Sequence, residues 1–362
     1  MVTGLTKAKS RVYNASWGDK RLKKTFVKDL RDGTRIDEVF LVASKSLRTT
    51  RTGAPFVRIE LRDRTGSVTA VKWDAGGEFY EKVPDQTVIR VVGNVCKHDG
   101  NMQIIVEQIL KPAYETDPAD FLPRSARSSE EMLAELRAII STIQNHHLRA
   151  LLDVFFNNQD FVSRFAAAPA AQKIHHAYIG GLLEHTLSVA KLCCTAAEHY
   201  RFIDRDILIT GAILHDIGKI EEFSWNGIIK YTDKGRFIGH IVGGARMVSD
   251  AIDTIEAFDP LLKMVMEHLI LSHHGVPEFG AARLPQCLEA FVLHYLEDMD
   301  AKVNIVRDAI TQTNESDMGL WTEKHFLFER SLFRGIPGES VPPAANSTED
   351  LIEEDYNPFS EE

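Results

Sequence analysis

Gly211-Ala212-Ile213-Leu214-His215-Asp216-Ile217-Gly218-Lys219 is the stretch on which the reading of this chain turns. It ends an apolar segment that reads as a helix over 204–217, and Gly218 stops the run. An imidazole and a carboxylate therefore sit side by side at a helix end. An aspartate there can bridge two metal ions while its neighbouring histidine ligates one. Taken alone the pair is weak, because His-Asp occurs by chance.

Working outward, three more histidine segments and an acidic one surround it. Upstream lies His175-His176-Ala177-Tyr178-Ile179-Gly180-Gly181-Leu182-Leu183-Glu184-His185-Thr186. Downstream come Gly239-His240-Ile241-Val242-Gly243-Gly244 and Glu267-His268-Leu269-Ile270-Leu271-Ser272-His273-His274-Gly275. The acidic segment His294-Tyr295-Leu296-Glu297-Asp298-Met299-Asp300-Ala301-Lys302 follows. Such an ordered set points to phosphodiester hydrolysis. That reaction needs a nucleophile active near neutral pH and a counter-charge for the developing oxyanion, and divalent ions supply both. Neutral imidazoles and carboxylates suit Mn²⁺, with Fe²⁺, Co²⁺ or Mg²⁺ as alternatives, at one or two ions per chain. A single histidine on an apolar helix more often packs with one hydrogen bond, and His146, His147, His199 and His268 are read that way.

All of these segments fall in a helical half. From Ser129 onward apolar residues recur at three- and four-residue spacing (Met132, Leu133, Leu136, Ile139, Ile140, Ile143), with Ser128 or Ser129 as N-cap. Further helices are expected over 147–166, 181–200, 204–217, 240–256, 258–272 and 284–311. The front half reads as strands. Val39–Ala43 is a short apolar run, Phe56–Asp63 and Ser67–Trp73 alternate apolar with polar, and Thr87–Val95 and Met102–Ile109 flank an Asp99-Gly100-Asn101 turn. Five strands fit a small closed barrel. The expected class is therefore α+β and multidomain, an OB-like five-stranded β-barrel followed by an all-α domain. The domain reading is a basic flexible segment over 1–24, a barrel over 25–115, a linker rich in Pro, Ser and Thr over 116–128, a helical domain over 129–335 and an acidic disordered tail over 336–362.

Charge is divided along the same line. The net charge of −10 speaks against nucleic acid, but residues 1–126 hold 22 basic and 16 acidic residues and carry +6, which leaves −16 on the remainder. A basic front and an acidic rear suit different partners. The basic start suits a solvated tail or a phosphate-contacting arm. The tail from 336 has eight acidic residues and no basic one and is read as inert. Cys96, Cys193, Cys194 and Cys287 form no CxxC pair and read as reduced thiols of a cytoplasmic protein. No apolar run approaches the roughly 18–20 residues of a membrane helix. No apolar core follows the basic N-terminal residues, so a secretory signal is not expected.

The segments GGLLEHT, HDIGK, GHI and SHHG, in this order behind an OB-like domain, resemble the HD phosphohydrolase superfamily, and within it the YhaM-type 3′→5′ exoribonucleases, over about residues 25–315. The resemblance implies His185 as the first superfamily histidine and His215 with Asp216 as the defining pair. His240 and His273, with His274 beside it, match the further ligands of two-metal relatives. Lys219 matches a lysine that faces substrate phosphate. The last ligand is usually an aspartate three residues before an Asp-Ala pair. Asp300-Ala301 sets that register and puts Glu297 in its place, a departure from the usual residue, with Asp298 as the alternative. The implied mechanism is in-line attack by a metal-bound hydroxide, with Asp216 bridging the ions and Lys219 stabilising transition-state charge. No Ser or Cys nucleophile is required.

A barrel of this kind offers a basic groove with aromatic faces for unstacked bases, and Arg48, Arg51, Phe56, Arg58, Lys72, Trp73 and Lys97 are the candidates. The expected partner is single-stranded RNA, with single-stranded DNA open; no membrane partner is expected, and a homo-oligomer is left open. Two competing readings stand beside the exonuclease. One is an HD phosphohydrolase of small nucleotides or cyclic dinucleotides. The other is a nucleic-acid-binding protein without catalysis. The barrel favours a polymer, because only a polymer gains from a distal grip.

Overall fold

The computed structural model describes residues 23–98, 100–114, 116–172, 176–225, 227–311 and 319–336. Most of the basic segment 1–24, all but residue 336 of the acidic tail, Asp99 and His175 lie outside them. The chain divides into two compact units, Met1–Phe121 and Leu122–Glu362.

The first unit is a closed barrel. Strands β1 (Arg35–Thr49), β2 (Pro55–Asp63), β3 (Gly66–Trp73), β4 (Val88–His98) and β5 (Asn101–Leu110) join in the order β1-β2-β3-β5-β4, with β3 and β5 parallel where the barrel closes. Alternation does the sorting along β2. Val57, Ile59 and Leu61 are buried while Arg58, Glu60 and Arg62 are exposed. Val57, Ile59, Leu61, Val68, Ala70, Val91 and Ile104 form the interior with Phe40 and Val42. Strand β1 is far longer than the Val39–Ala43 run, because the apolar stretch marks only the part buried on both faces; its ends alternate or turn polar. Helix α1 (Gly77–Lys82), not expected from the sequence, lies between β3 and β4. Phe79, Tyr80 and Val83 pack on the barrel core, and Lys45 Nζ donates to the carbonyls of Tyr80 and Val83 at its end.

The second unit is helical: α2 (Ser129–Ser141), α3 (His146–Phe156), α4 (Gln159–Ala167), α5 (Gly181–His199), α6 (Arg205–Leu214), α7 (Lys219–Glu222), α8 (Asp233–Phe237), α9 (Gly239–Ile252), α10 (Pro260–Ser272) and α11 (Leu288–Thr311), with a two-stranded ribbon β6 (Phe223–Ser224) and β7 (Lys230–Tyr231). Ser128 caps α2, its hydroxyl accepting from Glu131 N. The segment expected as one helix over 147–166 is two. Asn158 breaks it by accepting from the N–H groups of Asp160 and Phe161. Helix α11 starts at Leu288 rather than 284, since Pro285 disfavours helical backbone at Leu284. The stretch read as a linker is packed at its middle: Phe121 is buried, and Leu122 joins a cluster with Phe223 and Ile229. One apolar core unites these helices, with Leu136, Leu151, Phe165, Leu182, Ile213, Leu269 and Leu293 fully buried in it. No described helix is long and apolar enough to cross a membrane.

The turn after α6 lies directly on α9, an approach only a glycine permits. A Cβ on Gly218 would stand 2.1 Å from the carbonyl oxygen of His240 and 2.7 Å from the amide nitrogen of Gly244. Gly218→Ala is expected to destabilise the chain by about 1–3 kcal/mol, as overpacking does, and to push His240 out of place. Thermal unfolding checks the first effect and Mn²⁺ titration the second.

Candidate functional site

The four histidine segments and Asp216 meet inside the second unit. His185 projects from the second turn of α5. His215 ends α6, Asp216 follows in the turn, and Lys219 opens α7. His240 is the second residue of α9, and His273 ends α10 with His274 next to it. Helix ends leave carbonyls without intrahelical partners. Two of the histidines use them: His215 Nδ1 donates to Ala212 O and His273 Nδ1 to Ile270 O, both at 2.7 Å. Each ring is thereby turned so that Nε2 faces inward.

Asp216 is the centre. Its carboxylate is 3.3 Å from His215 Nε2, 3.7 Å from His185 Nε2, 3.5 Å from His240 Nε2 and 3.6 Å from His273 Nε2. Lys219 Nζ lies 2.5 Å from Oδ2. Two groups of ligand atoms result, each within 4.8 Å: His185, His215 and Asp216 in one, and Asp216, His240, His273 and His274 in the other. Asp216 belongs to both.

The donor chemistry fits divalent ions. Asp216 Oδ1, His240 Nε2 and His273 Nε2 are buried with no hydrogen-bond partner, an arrangement costly for polar atoms unless something else binds there. His185 Nε2 and His215 Nε2 stand 3.2 Å apart, and both rings have Nδ1 engaged with an acceptor. With Nδ1 protonated, their lone pairs point at each other, a contact relieved by a cation between them.

Three of the rings titrate in accord with this. Burial, with His215 close by, lowers His185 to about 4 despite its hydrogen bond to Asp300. Burial lowers His273 well below the usual histidine range and His274 to about 4. These rings are neutral near pH 7 and so able to ligate. For His215 burial is outweighed by Asp216, and its pKa rises. Burial would raise Asp216, but Lys219 and His215 hold it well below the ordinary carboxylate range.

Glu297 on α11 has its carboxyl within electrostatic reach of His215, Asp216 and Lys219, and burial raises it to about 7. Asp298 instead turns to Lys302, at 2.6 Å one turn along the helix. Sequence reasoning missed the carboxylates behind the histidines. Asp300, used there only to set a register, receives His185 Nδ1 at 2.9 Å and the hydroxyl of Ser188. Glu222 meets His240 Nδ1 at 3.0 Å. His176, Tyr178 and Glu184 extend the Asp300 side: the Tyr178 hydroxyl is 2.7 Å from His176 Nδ1 and donates to Glu184 at 3.0 Å. His176, His185 and Asp300 also bring donor atoms within 4.8 Å, but the His185–Asp300 contact is a hydrogen bond, so this group supports the site from behind. The available signal was spacing: His185 and Ser188 share one face of α5, as Glu297 and Asp300 share one of α11. Among the histidines read as packed, His268 Nε2 accepts from Gln286 N at 2.9 Å.

The barrel carries a separate candidate surface. In register across β1, β2 and β3 lie Arg48, Phe56 and Trp73, then Ser46, Arg58 and Val71, then Ser44, Glu60 and Thr69. The Phe56 and Trp73 rings are 5.0 Å apart and tilted by 42°, and Trp73 is 46% exposed. Arg58 donates to Thr69 Oγ1. A cleft of about 430 Å³ beside them is lined by Ser44, Ser46, Arg48, Arg58, Glu60 and Ser67. Four of the seven expected residues thus share one face. The other three do not join it. Lys72 falls in the opposite register and donates to Glu107 O, Arg51 is in the β1–β2 turn, and Lys97 is on β4, where it pairs with Met102 of β5 beyond the part of β4 that pairs with β1.

Comparison with known proteins agrees with both units. Residues 182–302 match the HD domain family, and residues 41–111 match the OB-fold nucleic acid binding domain family. In chain order, a match to an OB-fold nucleic acid binding domain thus precedes a match to an HD domain. Among solved structures it is similar to the protein PriB from Ralstonia solanacearum, at 16% identity over 21% of this chain and 95% of that one, with a TM-score of 0.19. It is also similar to the second OB-fold domain of replication protein A from Methanococcus maripaludis, at 20% identity over 25% and 96%, TM-score 0.19. Aspartyl tRNA synthetase from Entamoeba histolytica is a third, at 11% identity over 55% and 40%, TM-score 0.22.

Proposed function

We propose that this chain is a metal-dependent 3′→5′ exoribonuclease that grips single-stranded RNA, and to some degree single-stranded DNA, with its barrel and hydrolyses it in its helical domain. The observation that carries the reading is the convergence of five histidines on the buried, doubly shared Asp216. In this reading His185, His215 and Asp216 hold one divalent ion, and Asp216, His240, His273 and His274 hold another, with Glu297 as the last ligand and Mn²⁺ as the favoured metal. Ions bound there would activate water near neutral pH and neutralise charge on the scissile phosphate. The chain's own residues do the rest. Asp216 holds the two halves at a fixed separation, and Lys219 supplies a fixed positive charge that favours the more negative transition state. The neutral rings of His185, His273 and His274 can ligate without first losing a proton.

A barrel bearing an aromatic pair and two arginines on one face supports a polymer as substrate. The 3′→5′ polarity and the choice of RNA rest on the resemblance of the histidine segments to the YhaM-type enzymes. Stacking contributes about 1–3 kcal/mol per base, so Trp73→Ala should weaken single-stranded RNA binding roughly 5- to 150-fold in a filter or anisotropy titration.

The test of the whole reading is labelled single-stranded RNA incubated with the full chain and Mn²⁺, with and without chelator, with DNA in parallel. Stepwise release of mononucleotides from the 3′ end, abolished by chelator and restored by added Mn²⁺, is expected. Cleavage of nucleotides or cyclic dinucleotides alone points to the small-molecule hydrolase. RNA retained but intact points to a binding protein.

A further inference from the structure

The five histidines around Asp216 all have Nδ1 engaged, but by two kinds of acceptor. His215, His273 and His274 face main-chain carbonyls, those of Ala212, Ile270 and Phe279, at 2.6–2.7 Å. His185 and His240 face carboxylates. His185 Nδ1 is 2.9 Å from Asp300 Oδ2, and His240 Nδ1 is 3.0 Å from Glu222 Oε2. Both acids are buried, at 6% and 7% exposure. Both are also fixed by second contacts. Ser188 Oγ donates to Asp300, and the main-chain N–H of His240 donates to Glu222 Oε1 at 3.1 Å.

The distribution is not random across the site. The group of His185, His215 and Asp216 contains one carboxylate-backed ring, and the group of Asp216, His240, His273 and His274 contains one. The two acids come from different helices, Asp300 from α11 and Glu222 from α7. An acid behind an imidazole fixes the tautomer that leaves the Nε2 lone pair free, holds the ring plane and makes that nitrogen a stronger donor. A carbonyl fixes the tautomer but lends less charge.

We infer that Asp300 and Glu222 are positioning residues, one for each half of the site: Asp300 acts through His185 on one ion, and Glu222 acts through His240 on the other. The inference rests on the metal reading proposed above. It gives each half one strengthened imidazole, so that the ions are held independently although they share Asp216.

The test uses the full chain, without RNA, titrated with Mn²⁺ alone by calorimetry and by the loss of the free-ion paramagnetic resonance signal. The wild-type chain should bind two ions. Asp300→Asn and Glu222→Gln keep shape and an acceptor oxygen but remove the charge. Each should weaken one ion by roughly 10- to 100-fold, the range for such partners, and leave the other unchanged, while the double variant weakens both. Thermal unfolding in chelator accompanies each titration. A variant that melts earlier yet binds both ions with wild-type affinity has lost only structure, and that result overturns the positioning role. So does a single bound ion weakened by both substitutions, because the assignment of one acid to each half then fails. A wild-type chain that binds no Mn²⁺ sinks the metal reading itself. One that binds two ions beside unchanged variants sinks only the role of the two acids.

Discussion

Asp216→Ala should abolish RNA hydrolysis while leaving RNA retention by the barrel intact. The size of the effect follows from what the side chain touches. Loss of a partner behind a metal ligand costs about 10- to 100-fold. Asp216 is itself shared by both ligand groups, and four imidazoles lie within 3.7 Å of it. A loss of roughly 10³-fold or more in kcat/KM is expected, since in the proposed reading both ions would be loosened together. The substitution also leaves Lys219 buried with its nearest counter-charge gone, so unfolding should be followed alongside activity. The decisive measurement pairs product release with an RNA-binding titration. Undiminished cleavage would end the hydrolase proposal, whereas loss of binding along with cleavage would show a misfolded chain.

The second large effect concerns Lys219. The residue is 7% exposed, and its ammonium sits against Asp216. Removing a fixed charge aimed at a developing oxyanion typically costs about 10²–10³-fold in kcat. Lys219→Ala should show that loss with little change in KM, because in the proposed reading the barrel supplies the grip. It should still bind Mn²⁺, which separates it from the ligand variants. A rise in KM at unchanged kcat would assign Lys219 to ground-state binding rather than to the transition state.

How much of the molecule was legible in the sequence differs by element. Strand β2 was plain, because its burial alternates residue by residue. The break at Asn157-Asn158 was not, because Phe155, Phe156, Phe161 and Phe165 carry the apolar pattern across it, and three of these rings pack on Phe161. Helix α1 is six residues long and has no periodicity to read. In the site, the histidines announced themselves by chemistry, since an ordered set of imidazoles on apolar helices is rare. Asp300 and Glu222 did not. They are ordinary acidic residues on helices, and their meaning comes from partners 115 and 18 residues away. On the barrel, alternation separated Phe56 and Arg58 from their neighbours and put Lys72 and Trp73 on opposite faces, but which of these two joins Phe56 depended on a register that only strand pairing fixes.

The anchoring of the five rings has a kinetic side. Restraining a mobile side chain on binding opposes association by about 0.5–1.5 kcal/mol, and here the polypeptide has already imposed that restraint through Ala212, Ile270, Phe279, Asp300 and Glu222. On the proposed metal reading, an arriving cation would find a finished socket. Its speed of entry would then be governed by how readily it sheds hydration water, and a socket that cannot yield would disfavour cations of unsuitable radius.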